Sequence, residues 1–194
     1  MMRGFLIVAA ALLAVVGGCG DQQPVPTVSA RSPSPSSQGP GLRRMALTTP
    51  SGELGFVPDA EYPTVYGVLV DWPMDGDVVT ILALRGGTAS LYTTFAFQVI
   101  GGEAHAQVRK AADRCVAVAS DYATSGEPVT DYPYPESGQV YFYLLTYDGV
   151  RRCVGNEAAI ERGSDPTSEL FAAAQDVMTE LRLTVEAQDA NAGE

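Results

Sequence analysis

The sequence predicts an α+β domain, a two-layer sandwich whose five-stranded, mainly antiparallel sheet carries two helices on one face. Three observations lead there. Tight-turn dipeptides separate β-rich runs at hairpin spacing, two later segments repeat apolar residues at helical spacing, and all of this lies within residues 61–186. A stretch of that length buries an adequate core without help from metals or oligomerisation.

The strands come first. Asp75-Gly76 separates the run 65–72 (VYGVLVDW) from 78–84 (VVTILAL), and Gly86-Gly87 separates the latter from 89–97 (ASLYTTFAF). Further on, Asp148-Gly149 separates 140–147 (VYFYLLTY) from 150–154. Such dipeptides between β-rich runs favour a hairpin, because both central residues of the tight turn need positive φ. Between the two sets, residues 103 to about 121 place Val108, Ala111, Ala112, Cys115, Ala119 and Tyr122 at helical spacing on one face. A final helix starts at Ser164 or Asp165 with Pro166 in its first turn, and Leu170, Phe171, Ala174, Val177, Met178 and Leu181 form its stripe. One apolar face per helix places each against a sheet. The order β-β-β-α-β-β-α resembles a circularly permuted profilin-like or longin-like arrangement, which implies an architecture and no activity.

Residues 1–18 read as an export leader. Arg3 precedes a twelve-residue apolar run, 5–16, too short to span a bilayer comfortably and suited to a signal-peptide core. It ends in Val16-Gly17-Gly18-Cys19, which resembles the lipobox of bacterial lipoproteins. The resemblance implies cleavage before Cys19, acylation of that cysteine and attachment to the outer side of the cell membrane. Residues 19–60 follow as the lipidated cysteine and a tether punctuated by Pro24, Pro26, Pro33, Pro35, Pro40, Pro50 and Pro58 among Ser, Thr, Gln and Gly. Such a composition favours extended chain. Residues 187–194 read as a disordered tail.

The pieces Gly67-Val68-Leu69-Val70-Asp71-Trp72, Gly87-Thr88-Ala89-Ser90-Leu91-Tyr92, Ile100-Gly101-Gly102-Glu103-Ala104-His105, the hairpin 142–150 (FYLLTYDGV) and Thr179-Glu180-Leu181-Arg182 also form a set. It resembles an α+β domain family of bacterial genomes, one that brings no assigned activity. The likeness covers the domain and neither tether nor leader. Residues 94–98 (TFAFQ) depart from it, since the relatives are Gly-rich there.

The charge narrows the partners. Twelve basic residues stand against 23 acidic ones for a net −11, and Lys110 is the lone lysine. Residues 61–186 alone hold 8 basic and 18 acidic groups. A chain this acidic is a poor nucleic-acid ligand, since phosphate binding rests on basic side chains. The expected partners are the membrane, through Cys19, and another protein or a second copy of the chain.

Candidate chemistry is sparse, and no cofactor or metal is implied. The turn Gly101-Gly102 leads into a helix with His105 and Arg109 four apart, an arrangement able to hold an anion or simply to cap and surface the helix. Asp71, Asp75 and Asp77 crowd the first hairpin but lack the spacing of a calcium loop. His105 is the sole histidine, and no G-x-S-x-G elbow occurs, so nucleophilic catalysis has little support. Cys115 and Cys153 remain once Cys19 is lipidated; in an exported protein they pair as a disulfide or stay as two buried thiols. Tyr132-Pro133-Tyr134-Pro135 is the aromatic loop best suited to contact a partner, ahead of Tyr141 and Tyr143 within a strand. The expected function is an anchored protein-binding or self-associating module; the alternative is a small-ligand binder or enzyme using the Gly101–Arg109 helix start.

Overall fold

Three nearly unbroken apolar runs pair to make the centre of the sheet. A computed structural model describes residues 35–95 and 97–192, so the leader, Cys19 and residues 20–34 lie outside it, as do residues 193–194. The strands are β1 (Val65–Met74), β2 (Asp77–Leu84), β3 (Ala89–Thr93), β4 (Gln98–Ile100), β5 (Glu127–Val129), β6 (Gln139–Thr146) and β7 (Gly149–Asn156). They form one antiparallel sheet in the order β4-β3-β2-β1-β6-β7-β5. Helices are α1 (Pro35–Thr48), α2 (Ala106–Ser120), α3 (Glu157–Glu161) and α4 (Ser168–Ala192).

The α+β class is as expected, with seven strands in place of five. Both additions are three-residue edge strands. The run expected to continue to residue 97 ends at Thr93, whose hydroxyl donates to the Phe95 and Phe97 carbonyls at 2.7 Å each. The chain doubles back there, and Gln98–Ile100 pairs with β3. Turn chemistry follows the dipeptides at two of three places. Asp75 and Gly76 take φ of 52° and 90°, and Gly86 and Gly87 take 79° and 86°. At Asp148-Gly149 only the glycine has positive φ.

The helices do not all lie on one face. α2 and α4 pack together over Val68, Val70, Ile81, Phe142 and Leu144, with Val108, Ala112, Cys115, Ala174 and Leu181 buried between the layers. The opposite face shows Tyr66, Leu69, Leu82, Tyr92, Tyr143 and Leu145, and here α1 lies across it. Period-2 alternation along β1 sends Val68 and Val70 one way and Leu69 and Asp71 the other. A register shift between Val65 and Gly67 lets both Tyr66 and Leu69 face α1.

Residues 35–60 therefore fold onto the sheet, where composition reads as tether, and the compact unit starts near Pro33. Proline opens the helix at a position where its missing N–H is no loss. Leu47 is 3% exposed, Leu42 and Ala46 are half-buried, and Gly39 sits against the Thr93 carbonyl with no room for a side chain. The tail is also more regular than expected, since α4 continues to Ala192.

Cys115 and Cys153 are both buried and unbonded. Cys115 lies in the middle of α2 and Cys153 on β7 under Gly126, both within the same apolar layer. Burial pushes the Cys115 thiol up to about 12, with the Asp176 charge adding to it, so it stays protonated.

Asp165 joins β7 to α4. Its carboxylate accepts from the Asn156 N–H at 2.9 Å, the Thr167 N–H at 2.8 Å and the Thr167 hydroxyl at 2.7 Å. Burial raises its pKa, but the hydrogen bonds from Asn156 and Thr167 outweigh that and hold it below the ordinary value. A depressed folded-state pKa gives stability that is present above the unfolded value and lost as pH falls through the folded one. Asp165→Ala should lose about 0.5–1.5 kcal/mol at pH 7, the usual net worth of an intramolecular hydrogen bond. In urea titrations at pH 7 and in strong acid, the gap to the parent chain closes at the acidic end.

Candidate functional site

A carboxylate placed inside an apolar strand must find a partner or lose its charge. Asp71 is such a group: it lies in β1 opposite Thr80 of β2 and Tyr141 of β6, and it is 0% exposed. Its partner comes from α1. Arg43 Nε and Nη2 donate to Asp71 Oδ2 at 2.8 and 2.5 Å, Nε also lies 3.1 Å from Oδ1, and the Thr80 hydroxyl donates to Oδ1 at 2.6 Å. Both oxygens are thus met by donors, as an ionised carboxylate requires.

The far side of the guanidinium is read by the loop before β6. Nη1 donates to the Tyr132 carbonyl at 3.0 Å and Nη2 to the Pro133 carbonyl at 3.2 Å. The Pro133 carbonyl also accepts the Tyr143 hydroxyl at 2.6 Å. Aromatic faces close the socket, with Arg43 Cζ 4.2 Å from the Tyr134 ring centre and 5.4 Å from that of Tyr143. Burial raises the Asp71 carboxyl above its ordinary value, while Arg43 and Thr80 pull it back. Desolvation works against the Arg43 charge, yet the hydrogen bond and charge of Asp71 hold its pKa above the ordinary value. The pair is a clamp: planar fork, carboxylate, two carbonyls and stacked rings, the arrangement that arginine fills and lysine does not.

Beside this clamp a groove of about 480 Å³ opens to solvent. Pro40, Gly41, Arg44 and Leu47 of α1 form one wall, Thr130, Asp131, Tyr132 and Tyr134 the other, and Arg43 lies between them. The Tyr-Pro loop singled out for partner contact is thus also an internal element, since it holds Arg43 through its carbonyls and a ring. Tyr141 is half-buried beneath Arg152, whose Cζ is 4.9 Å from its ring, while Tyr143 is fully buried.

The Gly101–Arg109 turn has another use. Gly101 is left-handed at φ 75°, and a short 3-10 turn at Gly102–Ala104 precedes α2. A Cβ on Gly102 would come within 2.5 Å of Val108 Cγ1 and 2.6 Å of Leu181 Cδ2, so this glycine lets the turn press against both helices. His105 is the residue before α2 and makes no side-chain cap. Arg109 Nη1 donates to the Glu103 carbonyl at 2.6 Å, and its stem covers Gly87. The four residues are neighbours, and their contacts are those of a packed corner.

The three hairpin aspartates separate. Asp71 points into the clamp, Asp75 occupies the turn, and Asp77 accepts the Thr94 hydroxyl at 2.9 Å. Among the described residues, no group of three or more His, Cys, Asp or Glu side chains is placed to hold a metal ion. Cys19 lies outside the described residues. Comparison with protein-family models, curated proteins and solved structures finds no significant match to the chain.

Arg43 is the residue of the candidate site that the sequence reading did not single out. Its signal was Asp71, a lone acid within the apolar run V-L-V-D-W. Removing one member of a buried ion pair leaves the other charge stranded, whereas replacing both by apolar groups is often neutral. Arg43→Ala should therefore cost about 3–5 kcal/mol, and the double change Arg43→Met with Asp71→Leu should recover most of it. Denaturant midpoints of Arg43→Ala, Asp71→Leu and the double variant check this.

Proposed function

We propose that the chain is an exported lipoprotein whose folded part is a docking module, held to the membrane by acylated Cys19 and binding a protein partner or a second copy of itself. The observation that carries the docking reading is the groove between α1 and the Tyr-Pro loop. It joins exposed Arg44 and Asp131 to half-buried Tyr132 and Tyr134 on a rigid base. Aromatic and arginine side chains on a well-supported surface are what binding interfaces favour. The base is rigid because the clamp beneath it joins α1, two central strands and the loop.

The anchoring reading rests on the leader and Val16-Gly17-Gly18-Cys19. No helix among the described residues is long and apolar enough to cross a membrane. Acylation at several positions would supply the more than one chain that stable anchoring needs. The folded unit starts near Pro33, so residues 20–32 are left as the spacer between lipid and module.

After expression with export, the wild-type chain should fractionate with membranes and have the mass of a chain beginning at an acylated Cys19. Cys19→Ala should lose the acyl mass. A full-length, unacylated wild-type chain in the soluble fraction overturns the anchoring. A photo-crosslinker at Arg44 should trap a partner or second copy, and one at Arg182, an exposed residue of α4, should not. Equal yields at both positions overturn the groove as the docking surface.

A further inference from the structure

The socket that holds Arg43 is built without any part of α1. Asp71 belongs to β1, Thr80 to β2, Tyr143 to β6, and Tyr132, Pro133 and Tyr134 to the loop before β6. β1 pairs with both β2 and β6, and the Tyr143 hydroxyl holds the Pro133 carbonyl, so the walls of the socket are set by elements other than α1.

The occupant is a separable piece. Within the described residues α1 joins the rest only through residues 49–64. Of these, 50–55 are mostly exposed, whereas Phe56 packs near Tyr66, Arg85 holds Val57 and Asp59, and Tyr62 is buried in the core. The part not held by the domain, residues 49–55, reaches roughly 23 Å when extended. The α1 sequence, PSSQGPGLRRMALT, is a weak helix former with Gly39, Pro40 and Gly41 near its middle, so its helicity comes from docking. Its charge complements its seat: α1 carries Arg43 and Arg44 and no acid, whereas residues 61–186 carry 18 acidic against 8 basic groups. Opposite fields of this kind bring a segment to its site from outside.

We propose that the Arg43 socket is an arginine-reading receptor through which two copies of this chain exchange α1, each seating its Arg43 on the other's Asp71. Every contact of the clamp is reproduced in the exchanged form, and only the connector changes its path. This is the condition under which swapping an element between identical chains is a low-cost route to a dimer. The inference rests on the docking reading above and names its partner as a second copy.

The test uses the full chain in detergent micelles with Arg43→Ala, which empties the socket while leaving Asp71, Thr80 and the aromatic loop. Fluorescent peptides of residues 35–48 are titrated by anisotropy, one with Arg43, one with Arg43→Lys and one with Arg43→Ala. The arginine peptide should bind at least tenfold more tightly than either of the others, with amide shifts at Asp71, Thr80 and Tyr143. Separately, Arg43→Ala chains, with an intact socket, are mixed with Asp71→Asn chains, with an intact α1. Native mass spectrometry should then show a heterodimer in excess of both homodimers.

Equal binding of the three peptides, or none, by a folded host overturns the receptor. Ranked peptide binding without an excess of heterodimer overturns exchange between copies. If circular dichroism shows that Arg43→Ala does not fold, Arg43→Lys becomes the host in both experiments, and the same outcomes decide. None of these results depends on acylation. A failure here leaves anchoring standing, and a failure of anchoring leaves this result standing.

Discussion

The ion pair of Arg43 and Asp71 is the constraint from which much of the structure follows. A carboxylate at the centre of a sheet is tolerable only with its oxygens occupied, and the sheet itself supplies one donor, the Thr80 hydroxyl. The rest must come from outside it. That need holds α1 on the sheet, and the remaining guanidinium donors in turn hold the Tyr132 and Pro133 carbonyls in place. Tyr143 supports the same loop through its hydroxyl. One buried charge thus ties together three parts of the chain: α1, the β1–β2 hairpin, and β6 with the loop before it.

Seating α1 also changes what the sheet is. With α2 and α4 on one side and α1 on the other, the central strands are buried on both faces, and surface for partners is left at the margins. The outer strands β4 and β5 are three residues each, and β5 contains Pro128, so that edge lacks one ladder donor. Short edges with proline resist indiscriminate strand pairing. Recognition by side chains in a groove is then the more selective route open to the molecule.

Much of this was legible in the residues, and what was not has physical causes. Asp75-Gly76 and Gly86-Gly87 announce their turns because positive φ is a local property. The stripes of α2 and α4 show equally well, because helical spacing needs only nearby residues. α1 is different. Its prolines, glycines and serines give an extended-chain composition, and its helix depends on an aspartate 28 positions from Arg43. A second signal was available in runs such as VYGVLVDW and VYFYLLTY, which are apolar at consecutive positions, as strands covered on both faces are. The Cys115–Cys153 pairing shows the converse limit: export favours a bond, but compartment says nothing about how packing orients two buried thiols. The Gly101-Gly102 turn was found, and its purpose was hidden because Val108 and Leu181 meet there only in three dimensions.

The sequence separations in the clamp set an order of events on the ribosome. Arg43 is 28 residues from Asp71 and about 90 from the Tyr132 and Pro133 carbonyls that complete its coordination. The helix that emerges first therefore cannot reach its final seat until β6 has been made and paired. Until then its weak helical sequence keeps it pliable, and its two arginines keep it soluble. The earliest part of the folded unit to be synthesised is the last to lock.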